Sequence, residues 1–295
     1  MGHPGLRGLN DRFLGSLRGV APLRVANAWL WPRRPGRLEV KKLGPEALGS
    51  YLLTNPEAVR RHPRAYQNAL STQLSVHLLG TVLRRLDVNV VLDVGANRGQ
   101  FGRSLRELGY RGRIVSYEPV SVNLAALREA ADGDPEWLVE PVALGDVYST
   151  TDIHVAAGAG TLSSLLDSNE FGRKRFTNMR DEVATRETIQ IRRLDTVCGR
   201  AVAGIDVPRL FLKLDTQGYD LLALGGAGDR IGDVVALQSE VSCIPIYEGM
   251  PHLTQQIAAY EQAGFAAAGM FPVTWDHETL AVIEFDLLMV RREVT

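Results

Sequence analysis

From about residue 88 onward, apolar residues come in two alternating kinds of run. Unbroken stretches such as "VNVVLDVG" (88–95) and "RLFLKLD" (209–215) suit strands buried on both faces. Between them lie stretches with one apolar side. "FGRSLRELGY" puts Phe101, Leu105 and Leu108 on one helical face and ends at Gly109. "RIVSYEP" predicts a second strand, "SVNLAALREAA" a helix with Ser121 as N-cap, and "WLVEPVAL" a third strand. After "RLFLKLDTQGYD" the pattern gives a helix in "LLALGGAGDRI", a strand in "VVALQSEV", a helix in "HLTQQIAAYEQAGF" and a closing strand in "LAVIEFDLLMVRR". Strand–helix alternation of this kind builds a parallel, doubly wound α/β sheet.

Two regions depart from the alternation. Between about 148 and 197, "TDIHVAA" and "ETIQIRRL" read as strands around a charged loop or lid, Glu170 to Arg186, so a β insertion is expected. Residues 1–80 read as a helical, arginine-rich extension. Phe13, Leu14, Leu17 and Val20 share one helical face, Val25, Trp29 and Leu30 form a second short stripe, and a longer periodic stretch runs from Leu70 to Leu86. The expected division is thus an extension, 1–80, and a main domain, 81–295.

Composition narrows the function. A formal net charge of -1 gives no global reason to expect nucleic acid as a partner. The two cysteines, Cys198 and Cys243, are far apart and form no CxxC, which argues against a disulfide framework or zinc site and fits a reducing cytosol. No run is long and apolar enough for a membrane span, and Asp11, Arg12, Arg18 and Arg24 interrupt any signal-peptide core. The extension is read as packing over the acceptor pocket. Alternatively, Trp29, Trp31 and the nearby arginines could rest it on an anionic membrane.

The chemistry concentrates where "VVLDV" meets "GANRG". Gly95 and Gly99 let backbone approach a ligand, and the next helix points its first N–H groups the same way. A dinucleotide turn reads GxGxxG and faces a pyrophosphate. Here the spacing is GxNxG, with Asn97 at the second glycine position and Asp93 ending the strand. A buried carboxylate repels pyrophosphate and suits a cation, and S-adenosylmethionine carries an ammonium and a sulfonium. Glu118 ends the second strand, where an acid takes both ribose hydroxyls. Asp146 could receive an adenine amino group or be a simple turn acid. "GAGTLSSLL" offers Ser163 or Ser164 to the cofactor. The predicted cofactor residues are Asp93, Gly95, Ala96, Asn97, Gly99, Glu118, Asp146 and Ser163.

The stretches "LDVGANRGQF", "VSYEP", "VALGD", "RRLDTV", "FLKLDTQGYDLLALGGA" and "ALQSEV", in this order, resemble the FkbM family of S-adenosylmethionine-dependent methyltransferases. The resemblance implies a class I methyltransferase (Rossmann-like) sheet and methyl transfer to a hydroxyl of a sugar, glycolipid or polyketide natural product. It covers the chain from about Val88. One departure is "KLDTQGYD", where the family's run resembles "KIDVEGAE", so Gln217 and Asp220 stand where glutamates are commoner.

An alcohol needs a base or a metal to become a good nucleophile. In open sheets ligands lie at the carboxyl ends of strands, which selects Asp215 and Glu240, with His252 in a later loop as a further catalytic candidate. Lys213, inside an apolar strand, is expected to pair with a nearby acid, and Asp195 to cap a helix. No metal site is predicted, although Asp215, Asp220 and Glu240 could gather magnesium. The rival readings are a non-catalytic methyltransferase-like binding protein and an NAD-type oxidoreductase.

Overall fold

The computed structural model describes residues 23–25, 28–30, 39–43, 50–54, 56–155, 162–176, 179, 185–276 and 278–292. The chain divides into two compact units, residues 1–69 and 70–295. Among the described residues the strands are β1 (Leu23–Val25), β2 (Ala28–Leu30), β3 (Glu39–Leu43), β4 (Ser50–Thr54), β5 (Val90–Val94), β6 (Arg113–Tyr117), β7 (Trp137–Glu140), β8 (Ala143–Leu144), β9 (Ser149–Val155), β10 (Thr185–Arg192), β11 (Leu210–Leu214), β12 (Val234–Ser242), β13 (Phe265–Trp275) and β14 (Val282–Arg291). The helices are α1 (Pro56–Arg61), α2 (Pro63–Arg85), α3 (Gln100–Glu107), α4 (Ser121–Ala131), α5 (Glu170–Arg175), α6 (Leu194–Ala201), α7 (Asp220–Gly225) and α8 (Leu253–Gln262).

The first unit departs from the helical expectation. Among the described residues of this unit, β1 pairs antiparallel with β2 and β3 with β4, and α1 follows β4. Pro22 and Pro32 bracket the first pair. The run between them is shorter than the roughly 12 residues that make a helix worth nucleating, and proline cannot continue a helix on its C-terminal side. The apolar face of Phe13 to Val20, Trp31, and Arg33, Arg34 and Arg37 lie outside the described residues.

The second unit is built on a seven-stranded sheet of order β13-β14-β12-β11-β5-β6-β7. The strands from β12 to β7 run parallel, while β14 lies antiparallel to both its neighbours. A doubly wound α/β sheet of the class I methyltransferase kind is therefore the fold. Every residue of β5 and of β11 is buried, as their unbroken apolar runs require. On one face Val91, Ile114, Phe211, Ala236 and Leu288 form a core with Leu79, Val82 and Leu105. On the other, Leu92, Tyr117, Leu212, Leu237 and Tyr260 form the larger one. The insertion is present as a three-stranded sheet, β8-β10-β9, with α5 between its long strands.

Two local details differ from expectation. β13 is absent from the sequence reading because "FAAAGMFPVTW" is rich in Ala and Gly and contains Pro272. Those residues are tolerated because β13 is an edge strand, where a missing N–H costs little. Ser121 follows the N-cap Val120 rather than serving as the cap, and both its N–H and its Oγ donate to Glu187.

Candidate functional site

At the carboxyl ends of the parallel strands lies a cavity of about 570 Å³, a size usual for small-molecule sites, roughly 300–1,000 Å³. It reaches from the glycine turn after β5 to the start of β14, and the insertion adds Ile153, Leu162, Ser163, Leu165 and Phe176 to its wall.

Strand register explains which polar groups meet there. Asp93 on β5 pairs with Ser116 on β6 and with Lys213 on β11, and Lys213 pairs with Gln238 on β12. Two residues on, Glu240 pairs with Asp286 of β14. Glu284 lies opposite Thr274 of β13. Cross-strand partners and i, i+2 neighbours share a face. These side chains thus share one face of the sheet: Asp93, Ser116, Lys213 and Gln238 lie one rung beyond the apolar Val91, Ile114, Phe211 and Ala236, Glu240 with Asp286 lies a rung further, and Glu284 a rung beyond that.

The cofactor-side residues come first. Asp93 is fully buried; its Oδ2 accepts from Ser116 Oγ at 3.1 Å, and Trp137 Nε1 donates to that hydroxyl at 3.0 Å. Its Oδ1 has no hydrogen-bond partner. Burial raises its pKa to about 6, although Lys213 and Ser116 oppose the rise. Gly95 has φ +79°, and an added Cβ would lie 2.0 Å from the carbonyl oxygen of Asp215, so glycine is obligatory here. Asn97 takes φ 50°, a left-handed conformation that asparagine tolerates better than most residues.

Glu118 is the turn's anchor. Its Oε2 accepts the Asn97 N–H at 2.8 Å, and its Oε1 accepts from the Val120 N–H at 2.9 Å and Asn123 Nδ2 at 3.4 Å. Burial outweighs these bonds and pushes its pKa up to about 7. Ala96, Asn97 and Ser163 also line the cavity. Ser164 is structural: its Oγ donates to the Gln217 carbonyl.

Three expected site residues stand elsewhere. Gly99 lies outside the cavity lining. It is the left-handed N-cap of α3, and a Cβ there would press on Ala130, Leu127 and Trp137, so close packing explains it. Asp146 is also outside the lining, and its carbonyl accepts from Arg193 Nη1 at 2.6 Å. His252 is the N-cap of α8: its ring accepts from the Thr254 N–H, and Gln255 closes a capping box. His252 is outside the cavity lining. Asp195 is likewise not the cap of α6 but a first-turn residue paired with Arg193.

The residues at the other end of the cavity gather around Lys213. Its Nζ lies 2.8 Å from Asp215 Oδ2 and 5.4 Å from the centre of the Phe101 ring. Burial alone would lower its pKa, but Asp215 and Asp93 reverse the effect and hold it charged. Gln217, at φ 54°, donates one Nε2 hydrogen to Asp215 Oδ1 (3.2 Å) and the other to Glu240 Oε2 (3.0 Å). Its Oε1 lies 3.2 Å from the Tyr247 hydroxyl. A glutamate at 217 could make at most one of these donations, and only when protonated, so the departure in "KLDTQGYD" ties two acids together.

Glu240 has its pKa raised well above the usual range, first by burial and then by Glu284 and Asp215. Glu284 is raised to about 7, chiefly by burial, and Asp286 is raised by burial against the pull of Lys213. Glu284 and Asp286 are cavity residues that the sequence reading missed. The signal was the E-F-D alternation of "VIEFD", which puts both acids on one face. Asp220 lies outside the lining, where it accepts from the Thr216 N–H. Among the described residues no group of His, Cys, Asp and Glu is placed to hold a metal ion.

The unpartnered Asp93 oxygen and the acid row suit a ligand with cationic groups, and Glu118 beside the turn suits a ribose. S-adenosylmethionine meets both demands.

Residues 93–265 match the family model described as the methyltransferase FkbM domain. Among solved structures, the chain is similar to magnesium protoporphyrin IX methyltransferase from Synechocystis PCC 6803 with bound S-adenosylmethionine, at 11% identity over 77% of this chain and 83% of that one, TM-score 0.39. It is similar to fibrillarin from Aeropyrum pernix with natively bound S-adenosylmethionine, at 9% identity over 68% and 66%, TM-score 0.39. An rRNA methylase from Streptococcus thermophilus gives 8% identity over 74% and 97%, TM-score 0.38. No curated protein matches.

Proposed function

The chain belongs to the methyltransferase FkbM-domain family, and from that premise we propose that it methylates a hydroxyl of a sugar, glycolipid or polyketide acceptor. It is an S-adenosylmethionine-dependent methyltransferase. The observation that carries the finer reading is the continuity of the cavity, which joins the Asp93–Glu118 turn to a wall of carboxyl groups at Asp215, Glu240, Glu284 and Asp286.

When bound, the cofactor supplies a methyl group on a sulfonium, an electrophile with no need of further activation. Asp93 would face its positive charge, Glu118 its ribose hydroxyls, and Ser163 with Phe176 would shield it from water. The remaining task is to align the acceptor oxygen and receive its proton. Asp215 is fixed by Lys213 and Gln217, which leaves it an orienting role. Glu240, held by Gln217 and with its pKa raised by burial and by Glu284, is the carboxyl group assigned to receive that proton.

The test is calorimetric titration with S-adenosylhomocysteine on wild type, Asp93→Ala and Glu118→Ala, then incubation of methyl-labelled cofactor with a panel of glycosides and polyketides. The expected result is tight binding to wild type, lost in Glu118→Ala and weakened less in Asp93→Ala, and a product with a new methyl ether. N-methyl products alone would refute the hydroxyl assignment. No binding to wild type would refute the cofactor site. Membrane contact by the extension remains a separate proposal, tested by flotation with anionic vesicles; among the described residues no helix is long and apolar enough to cross a membrane.

A further inference from the structure

We propose that the β12–β14 end of the cavity is a recognition site for an ammonium group, and that the acceptor is an amine-bearing molecule such as an aminosugar, held through that amine by Glu284 with Asp286. The inference rests on the methyl-transfer reading only in assigning the bound amine to the acceptor.

The first observation is position. Strands in a sheet lie about 4.8 Å apart, so β14, three strands from β5, stands about 14 Å to the side of the glycine turn. The ribose acid, the turn and Asp93 all sit at β5 and β6. Glu284 and Asp286 therefore lie toward the acceptor end of the cavity.

The second observation is an unused acceptor atom. Glu284 is 4% exposed and lines the cavity, yet its Oε1 has no hydrogen-bond partner. A buried carboxylate oxygen left unpaired is costly, and a ligand donor from the cavity would satisfy it. Gln217 serves Glu240 and Asp215 but not Glu284.

The third observation is charge. Among the described residues, Asp215, Glu240, Glu284 and Asp286 share this end of the cavity with one cation, Lys213, and that ammonium is already paired with Asp215. Burial first, and then the neighbouring acids, favour the protonated forms of Glu240 and Glu284. A ligand ammonium would replace those protons, giving charge-assisted hydrogen bonds about twice as strong as neutral ones. A metal ion is the poorer occupant, since no metal-holding group exists among the described residues. A neutral diol could donate to Glu284 but would leave the excess negative charge uncompensated.

The experiment uses the full chain. Titration with S-adenosylhomocysteine establishes the cofactor half. Glucosamine and glucose are then titrated at pH 7, with and without S-adenosylhomocysteine, and followed by saturation-transfer NMR. Glucosamine is expected to bind about tenfold more tightly than glucose. That preference should disappear in Glu284→Gln and weaken in Asp286→Asn, while both variants keep wild-type affinity for S-adenosylhomocysteine, which also reports that they fold. Equal binding of the two sugars, or binding of neither while S-adenosylhomocysteine binds, overturns the inference and leaves the cofactor site standing. A glucosamine preference in a protein that fails to bind S-adenosylhomocysteine would instead overturn the methyl-transfer reading and the assignment of the amine to an acceptor.

Discussion

The carboxylate of Glu118 accepts the backbone N–H of Asn97 across 21 residues of sequence, at 2.8 Å. The residue predicted to bind ribose is thus also what holds the left-handed turn beneath it. Replacing Glu118 with Ala would leave the Asn97 and Val120 N–H groups without their acceptor, at about 1–3 kcal/mol for each buried group. The expected result is lost binding of S-adenosylhomocysteine together with a lower melting temperature. Glu118→Gln, which keeps one acceptor oxygen, should lower both less. Calorimetry and thermal denaturation on the same samples check this.

Gly95→Ala should be the most damaging small change in the site. The new methyl would meet the Asp215 carbonyl at 2.0 Å in a backbone conformation with φ +79°. Relief requires β5 and β11 to separate at their ligand ends. A loss of about 2 kcal/mol or more is expected, read by urea denaturation, with no detectable cofactor binding.

Asp93 and Glu118 have raised pKa values, about 6 and about 7. The folded protein without ligand therefore binds protons that the unfolded chain has released above about pH 4–5. By linkage, these two groups make stability fall as pH rises from about 5 to 7. Ligand affinity runs the other way. S-adenosylmethionine, with its sulfonium, should bind more tightly as Asp93 ionises between pH 5 and 7, whereas S-adenosylhomocysteine, lacking that charge, should change less. Parallel titrations across this range test the difference, and Asp93→Asn should abolish it.

Gln217→Ala would free Asp215 and Glu240 from each other without touching the glycine turn. Hydrogen bonds to charged groups contribute about 1.5–3 kcal/mol, so methyl transfer should fall by about tenfold to a hundredfold while S-adenosylhomocysteine affinity changes little. Single-turnover rates against calorimetric Kd separate the two effects.

His252→Ala tests a corrected assignment. As the cap of α8, its loss should cost about 1 kcal/mol of stability and leave the methyl-transfer rate at saturating cofactor unchanged.

What could be read in the sequence follows from strand direction. Asp93, Glu118, Asp215 and Glu240 were legible because each ends a run that is plainly a parallel strand, and in such a sheet every strand presents its carboxyl end to the ligand. Glu284 and Asp286 sit near the beginning of their strand. They reach the same edge only because β14 runs backwards, a fact that hydrophobic pattern does not encode. Gln217 was visible as a departure from the family run, but its two donations depend on a backbone conformation at φ 54° that sequence does not announce. Asp146 and His252 stand outside the cavity lining, which their residue types do not reveal: the His252 ring caps α8, and Asp146 lies in the bend after β8.

The reversed strand also divides the labour of the protein in a way useful to anyone redesigning it. On the proposed assignment the cofactor residues stand on β5 and β6, while the five residues Val282–Asp286 put two acids at the far wall on a strand that the cofactor side does not share. Evolution, or an engineer, can exchange that short cassette to retune which acceptors are admitted without disturbing the machinery that delivers the methyl group.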